Sequence, residues 1–126
     1  MLSSIQLAAS PGDAGDVTAA QMIALPLSGV RLVSLGACSA GRTEVSSTGE
    51  TYGFVRSLFY AGAQSVILPL WDIPDEAAGF WFGRFYAEAR THPLAEAARL
   101  ANAAALRHPV FGAHPRFWAG YVLIGR

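Results

Sequence analysis

The sequence predicts an α/β fold built on a parallel sheet. Three mostly apolar runs are typical of strands: residues 30–36 (VRLVSLG), 65–70 (SVILPL) and 118–124 (WAGYVLI). Segments with helical spacing separate these runs, so the predicted order is β-α-β-α-α-β. Strands that alternate with helices pair in parallel through right-handed crossovers. We therefore expect a parallel sheet whose first strand is buried on both faces.

Four helices are expected from capping residues, apolar spacing and stop residues. Thr18 and Gln21 have the spacing of a capping box, whereas Pro26 and Gly62 are stop signals. Pro69 indicates that the second strand either lies at an edge or ends there. The predicted helices cover residues 19–25, 52–61, 75–90 and 94–107, and the inner face of the last is nearly all alanine.

The composition describes one domain with a hydrophobic core. The chain has 126 residues, of which 52% are hydrophobic and 14% are charged, and this excludes intrinsic disorder. Nine arginines balance nine acidic residues, so no strong field favours nucleic acid or an anionic membrane as a partner. Apolar runs such as residues 66–71 are far too short to span a membrane. We expect a single domain over residues 1–126 with no nucleic-acid or membrane partner.

The chain has one cysteine, Cys38, and this fits a cytoplasmic protein. A lone thiol excludes an internal disulfide and a multi-cysteine zinc site. It is also more typical of a reducing compartment. No basic residue precedes Arg31, so the N-terminal segment lacks the basic region of a signal peptide. We therefore expect a cytoplasmic location.

Cys38 lies two residues beyond the first predicted strand and has only small neighbours, from Gly36 to Gly41. Small residues let a substrate backbone approach closely, which makes Ala37 and Ser39 candidate substrate-binding residues. A nucleophilic cysteine gains from this access, and from a backbone N–H of its own that faces the oxyanion. The alternative is a buried cysteine that acts as a small hydrophobic residue. The residues alone leave both interpretations open.

Trp71 and Asp72 directly follow the second predicted strand. Ligands bind at the carboxyl ends of parallel strands, so neighbouring first and second strands would bring Cys38 and this corner to one edge of the sheet. Asp72, Asp75 and Glu76 are most simply acids at a helix N-terminus, where they interact favourably with the helix dipole. The alternative is that Asp72 or Asp75 lines a substrate pocket beside Trp71.

A thiol nucleophile needs a base, which is most often a histidine. The chain has three histidines. His92 precedes a proline at a helix start and is expected to be a capping or surface residue, whereas His108 and His114 are expected in turns. The separation of the last two matches no helical metal pair, and the sequence has no glycine-rich phosphate loop. We expect no metal site and no cofactor.

The segment at residues 32–41 (LVSLGACSAG) belongs to an ordered set of short motifs that spans nearly the whole chain. The other motifs are residues 2–4, 7, 18–20, 44–46, 60–63, 65–66, 70–71, 75–77, 84–86, 95–97, 114–115, 118–119 and 122–125. This ordered set resembles the cysteine-bearing, C-terminal portion of CHAT domains. Those are caspase-like domains, related to caspases and separase, and they often follow TPR repeats.

The resemblance implies a caspase-like three-layer α-β-α sandwich with a mostly parallel sheet. It also implies a cysteine endopeptidase that acts on a peptide or protein substrate. Cys38 takes the place of the nucleophile, and its backbone N–H contributes to the oxyanion hole. Leu70, Trp71 and Asp72 help to shape the pocket for the substrate residue before the cut. Asp75 matches a recurrent acid of the family, in a capping or a binding role.

The resemblance also identifies what the sequence lacks. The catalytic histidine of the family lies in a His-Gly motif upstream of the segment that matches residues 2–4. We therefore expect the N-terminal part of the fold to be missing, and with it the histidine. A positioned histidine contributes roughly 10²–10⁴-fold to a rate, so negligible peptidase activity is expected of the chain alone. The unpaired sheet edge that remains would favour a homodimer.

Two functions from different classes stay open at this point. The chain is the cysteine-bearing portion of an endopeptidase whose histidine base lies elsewhere, with TPR or other sensor regions upstream. Alternatively, it is a catalytically inactive caspase-like module for protein interaction. A thiol-reactive protein of another α/β family is a third possibility. The first two differ in the reactivity of the Cys38 thiol once the histidine-bearing part is supplied.

Overall fold

The computed structural model describes residues 4–6, 8–12, 14–36 and 49–125, and its elements confirm an α/β fold. The strands in these ranges are β1 (Ser4–Gln6), β2 (Asp16–Thr18), β3 (Val33–Ser34), β4 (Ser65–Pro69) and β5 (Tyr121–Gly125). The α-helices there are α1 (Ala19–Ile23), α2 (Gly49–Tyr60), α3 (Asp75–Glu88) and α4 (Leu94–Leu106), and a 3-10 turn covers Pro115–Phe117. The chain divides into two compact units, the first being Met1–Ile67 with Ile124–Arg126 and the second Leu68–Leu123.

In the first unit, β3 pairs with β4 in parallel, as predicted for the first two strands. Val33 pairs with Val66 and Ser34 pairs with Ile67. Backbone hydrogen bonds continue at both ends, from the Gln64 N–H to the Val30 carbonyl at 3.0 Å and from the Leu35 N–H to the Ile67 carbonyl at 2.9 Å. The prediction of full burial for this strand is wrong. Residues of β3 are only half-buried, because β4 is its one partner among the described strands.

The three-stranded sheet has the order β3-β4-β5, so β4 is its central strand. All five residues of β4 are buried. Pro69 is the last residue of this strand, so the prediction that Pro69 ends a strand is confirmed and the alternative of an edge strand is wrong. Proline has no N–H to donate to a ladder, and the end of a central strand tolerates that loss.

The prediction of a parallel sheet is wrong for β5. The Leu70 N–H, just after β4, donates to the carbonyl of Gly120, just before β5, at 2.8 Å. At the other end, Gly125 lies against Gln64 and Ser65. These contacts make β5 antiparallel to β4. A single helix between two strands carries the chain back to the end where the first strand began, so the next strand runs parallel to it. Two helices, α3 and α4, connect β4 to β5, and the second helix carries the chain back to the end where β4 finished. Strand β5 therefore runs antiparallel to β4.

Helix α2 supplies much of the core of the first unit. Phe54, Val55 and Leu58 are buried along one face, at the helical spacing that the sequence predicts. The helix begins at Gly49, three residues before the predicted start at residue 52. Gly62 follows its end with a φ of 109°, a backbone conformation that favours glycine.

An antiparallel pair formed by β1 and β2 was not expected from the sequence. Ser4 pairs with Thr18 and Gln6 with Asp16. Three-residue strands separated by turn residues leave too little alternation to be recognised. The capping box after β2 is confirmed, because the Gln21 N–H donates to Thr18 Oγ1 at 3.3 Å and the Thr18 N–H donates to Gln21 Oε1 at 2.8 Å.

In the second unit, α3 and α4 pack closely through small side chains. Ala97, Ala101 and Ala105 line the buried face of α4, as the alanine pattern predicts. Trp81 on α3 is fully buried, and its indole N–H donates to Asn102 Oδ1 at 2.7 Å. The ring also stacks on Tyr121 of β5, with 4.0 Å between centroids. The hydrogen bond between Trp81 and Asn102 fixes the register of α3 against α4, because a buried indole N–H needs an acceptor.

Replacement of Gly62 by alanine is expected to destabilise the protein by about 1–3 kcal/mol. Alanine is strained at this positive φ, and its Cβ would lie 2.8 Å from the backbone nitrogen of Ser28. Gly79→Ala is the matched control, since its Cβ meets open space on α3 and should stabilise by about 0.5–1 kcal/mol. Urea unfolding of both variants measures the difference. Equal stabilities would contradict the assigned conformation of Gly62.

Replacement of Ala101 by leucine is expected to cost about 1–3 kcal/mol, because the added atoms overpack the contact of α3 with α4. Ala101 has no exposed surface. Ala95→Leu places the same side chain at an exposed position of α4 and should be nearly neutral. Thermal unfolding followed by circular dichroism compares the two, and an unchanged stability of the Ala101 variant would contradict the close packing.

Candidate functional site

The ladder between β3 and β4 leads directly into the segment that carries the cysteine. Its last hydrogen bond joins the Leu35 N–H to the Ile67 carbonyl, and Gly36 follows as an exposed residue. Three candidate site residues, Ala37, Cys38 and Ser39, come next and lie outside the described residues. The structure therefore confirms the parallel pairing on which their predicted placement depends, and the role of Cys38 stays a prediction.

The candidates at the end of β4 belong to the second unit and form an exposed corner. The Leu70 backbone N–H is bonded to the carbonyl of Gly120, while the residue as a whole is 60% exposed. Trp71 is 39% exposed, a large fraction for so apolar a ring. Asp72 is exposed as well. This corner can therefore offer an aromatic face and a carboxylate to a ligand.

Trp71 is exposed but held in place. Its indole N–H donates to the backbone carbonyl of Arg116 at 2.8 Å. Its ring lies against Gly120, where an added Cβ would come within 2.8 Å of Cε2. Neither Arg116 nor Gly120 was expected from the sequence to contact Trp71. A glycine inside the predicted strand at residues 118–124 was the only signal for Gly120, and a main-chain carbonyl leaves no signal in a sequence.

Asp75 and Glu76 lie in the first turn of α3, as predicted, and both are exposed. Pro74 is the N-cap residue and offers no side-chain hydrogen bond to the helix. Acidic side chains there interact favourably with the free N–H groups and the helix dipole. The position of Asp75 therefore accounts for its charge without a ligand, and a binding role for it stays a prediction.

All three histidines use Nδ1 in local contacts of the second unit. His108 Nδ1 accepts from the N–H groups of Val110 and Phe111, at 3.2 Å each. His114 Nδ1 accepts from the Arg116 N–H at 3.3 Å and caps the 3-10 turn. His92 is exposed at the end of α3, with Nδ1 3.5 Å from Glu88 Oε2. The predictions of a surface residue and two turn residues are confirmed.

An exposed ion pair on α4 shifts the pKa values of both its members. Arg99 donates two hydrogen bonds to Glu96 on α4, at 2.7 and 2.8 Å. These bonds lower the pKa of the Glu96 carboxyl below its usual value and raise the pKa of Arg99. Both groups are exposed, so the pair contributes little to folding.

Within residues 4–6, 8–12, 14–36 and 49–125, no three His, Cys, Asp or Glu side chains come together as a metal site. Each helix in the described part of the chain is too short or too polar to cross a membrane.

Two open depressions of the first unit lie beside the end of α2. One has a volume of about 320 Å³ and is lined by Arg56, Phe59 and Tyr60. The other, of about 460 Å³, is lined by Phe59, Ala63, Gln64 and Gly125. Among the described lining residues, neither depression includes one that the sequence predicts for the site.

Comparison with known proteins gives a consistent assignment. The model of the CHAT domain family matches residues 1–126. Tetratricopeptide repeat protein 28 of Homo sapiens is 32% identical over 109 residues, and its counterpart in Mus musculus is 31% identical over 109 residues. The alignments cover 86% of this chain but only 4% of each relative, so the chain spans a small part of their length. No solved structure matches. The family match over all 126 residues shows that this chain belongs to the CHAT domain family.

Proposed function

We propose that this chain is the cysteine-bearing domain portion of a caspase-like endopeptidase. Cys38 is the nucleophile, and the histidine base comes from outside these 126 residues. Membership of a caspase-like family supports the reaction class. We further propose that the mixed sheet is part of a caspase-like three-layer sandwich, and that TPR regions accompany the domain, as the names of its relatives suggest.

The register of β3 on β4 is the observation that supports the proposal most. Ser34 pairs with Ile67. Cys38 follows Ser34 by four residues, and Trp71 follows Ile67 by four residues. Ligands bind beyond the carboxyl ends of parallel strands. This pairing is the one from which the sequence predicts that a nucleophile and a substrate-binding residue each follow a strand of one parallel pair.

The proposed chemistry needs little bulk around the sulfur. The histidine takes the proton of the Cys38 thiol, and the thiolate attacks the carbonyl carbon of the scissile bond. The backbone N–H of Cys38 stabilises the oxyanion that forms. The histidine then protonates the leaving amine, and water hydrolyses the thioester to release the acid and restore the thiol. Ala37 and Ser39 let the substrate backbone approach.

Leu70, Trp71 and Asp72 are proposed to bind the substrate residue before the cut, with Asp75 beside them. The exposure of Leu70 and Trp71 is compatible with this role, because it leaves both apolar side chains accessible to a substrate. The hydrogen bond from the indole to Arg116 holds the aromatic surface in one orientation.

A catalytically inactive interaction module is the second candidate. The fixed and exposed ring of Trp71 is compatible with it, because such a surface can contact a partner chain without a nucleophile. The same exposed corner would then bind a partner chain without cleavage. The two functions differ in one measurable property, the reactivity of the Cys38 thiol.

Alkylation of Cys38 by iodoacetamide tests the proposal. We expect an ordinary rate for the chain alone. Addition of a separate segment that carries the family's His-Gly motif should lower the thiol pKa from its usual value of about 8.5 and raise the rate at pH 6 by at least about tenfold. Intact mass measures the rate without ambiguity, because the chain has a single cysteine.

The matched control for that experiment moves the thiol by one residue. A chain with Cys38→Ser and Ser39→Cys keeps one thiol in the same segment and should react at the ordinary rate with or without the added segment. A Cys38 rate that stays equal to this control contradicts the endopeptidase and supports the interaction module.

We also propose that the chain forms a homodimer through a sheet edge. Within the described strands, β3 and β5 each have one neighbour, and such edges can pair with a second copy. Sedimentation velocity should show a concentration-dependent shift from monomer to dimer. A single monomeric boundary at the highest concentration would contradict the dimer.

A further inference from the structure

We propose that Gly120 is a positioning residue that sets the orientation of the Trp71 indole. The inference rests on the proposed function, in which Trp71 forms a wall of the substrate pocket. Its basis is the set of contacts that join Leu70 and Trp71 to the short segment at residues 116–120. All of these residues belong to the second unit.

Three contacts define the position of the ring. The carbonyl of Gly120 accepts the Leu70 N–H at 2.8 Å and so fixes the backbone that leads into Trp71. The carbonyl of Arg116 accepts the indole N–H at 2.8 Å. The face of Gly120 that carries no side chain then lies against the ring, so that a Cβ there would be 2.8 Å from Cε2 and 3.1 Å from Cζ2 and Nε1.

The segment at residues 114–119 supplies the carbonyl that accepts the Trp71 indole N–H, and hydrogen bonds within the segment hold it in place. His114 Nδ1 accepts the Arg116 N–H at 3.3 Å, and the Pro115 carbonyl accepts the N–H groups of Trp118 and Ala119 at 3.1 and 2.8 Å. These bonds close the 3-10 turn and fix the direction of the Arg116 carbonyl. The acceptor for the indole is therefore preorganised, and the observed ring position satisfies its N–H while lying against the bare Cα of Gly120.

The atoms that a side chain at Gly120 would meet decide what its substitution does. All three nearest atoms belong to the Trp71 ring, which can rotate away. At Gly112, in contrast, a Cβ would meet the backbone carbonyl of Leu106, which cannot. Gly120 is also absent from the glycines with positive φ, so alanine is not strained there. Gly120→Ala should therefore displace the indole and leave the fold intact.

Displacement of the indole has a specific consequence for binding. The exposed part of Trp71 can contact a ligand. The orientation of the Trp71 ring depends on Gly120 having no Cβ. Gly120 touches no substrate in this scheme, because it is buried beneath the ring. It should therefore affect the affinity for a peptide and leave the reactivity of Cys38 itself unchanged.

The first arm of the test follows the indole N–H groups by two-dimensional NMR. The chain has three tryptophans, and Trp71→Phe identifies the resonance of Trp71. In Gly120→Ala this resonance should shift and exchange faster with water, because its bond to Arg116 is lost. The Trp81 resonance should stay in place, since its acceptor is Asn102. An unshifted Trp71 resonance would overturn the positioning role.

The second arm measures labelling of Cys38 by tripeptidyl chloromethyl ketones that differ in the residue next to the ketone, with the histidine-bearing segment present. Gly120→Ala should raise the half-saturating concentration about five- to tenfold and change the maximal rate by less than about twofold. Labelling by iodoacetamide, which is too small to need the pocket, should be unchanged. Gly79→Ala, an open position on α3, serves as the matched control.

The outcomes separate this inference from the proposed function. Labelling of the unsubstituted protein without saturation by any ketone contradicts the proposed function, and with it the role of Trp71 as a wall. Normal saturation, with the same constants for Gly120→Ala and Gly79→Ala, contradicts only the positioning by Gly120. In a Trp71→Ala background, Gly120→Ala should change nothing further, and an additional loss there would also overturn the inference.

Discussion

The burial of β4 is the constraint on which the rest of the structure depends. Five consecutive residues of this strand are buried, and Val66 and Ile67 have no exposed surface. A strand of this kind is stable only in the centre of a sheet, because its backbone groups need partners on both sides. Its parallel pairing with β3 fixes the register of Val33 and Ser34 against Val66 and Ile67. Its own end leads into the exposed corner at Leu70 and Trp71.

Two tryptophans of the second unit show how similar contacts produce different roles. Both donate an indole N–H to an oxygen, Trp81 to a side chain and Trp71 to a backbone carbonyl. Trp81 is fully buried between helices and a strand, so its bond stabilises the core. Trp71 keeps more than a third of its surface exposed, so its bond orients a surface that can contact a ligand. Exposure, and not the hydrogen bond, distinguishes the structural ring from the candidate binding ring.

Much of the fold was predictable from local patterns, and the failures share one cause. The capping box at Thr18, the stop at Gly62 and the alanine face of α4 depend on neighbours within a few residues, and all are confirmed. The direction of β5 and the partial exposure of β3 depend on how many helices and strands lie around them. Of the site, the sequence indicated the residues at both strand ends, but the contacts of Trp71 with Arg116 and Gly120 come from a segment whose first residue, Arg116, is 45 positions away in the chain.

The sequence by itself determined the family, the identity of the single cysteine and the two chain segments that follow parallel strands, because ordered motifs and apolar runs are local properties. Only the tertiary structure decided that β4 is central, that β5 runs against it, and that Trp71 is held by a main-chain carbonyl and a glycine. Backbone acceptors and the absence of a Cβ have no signature of their own in a sequence. They acquire a role only when the fold brings a distant side chain against them.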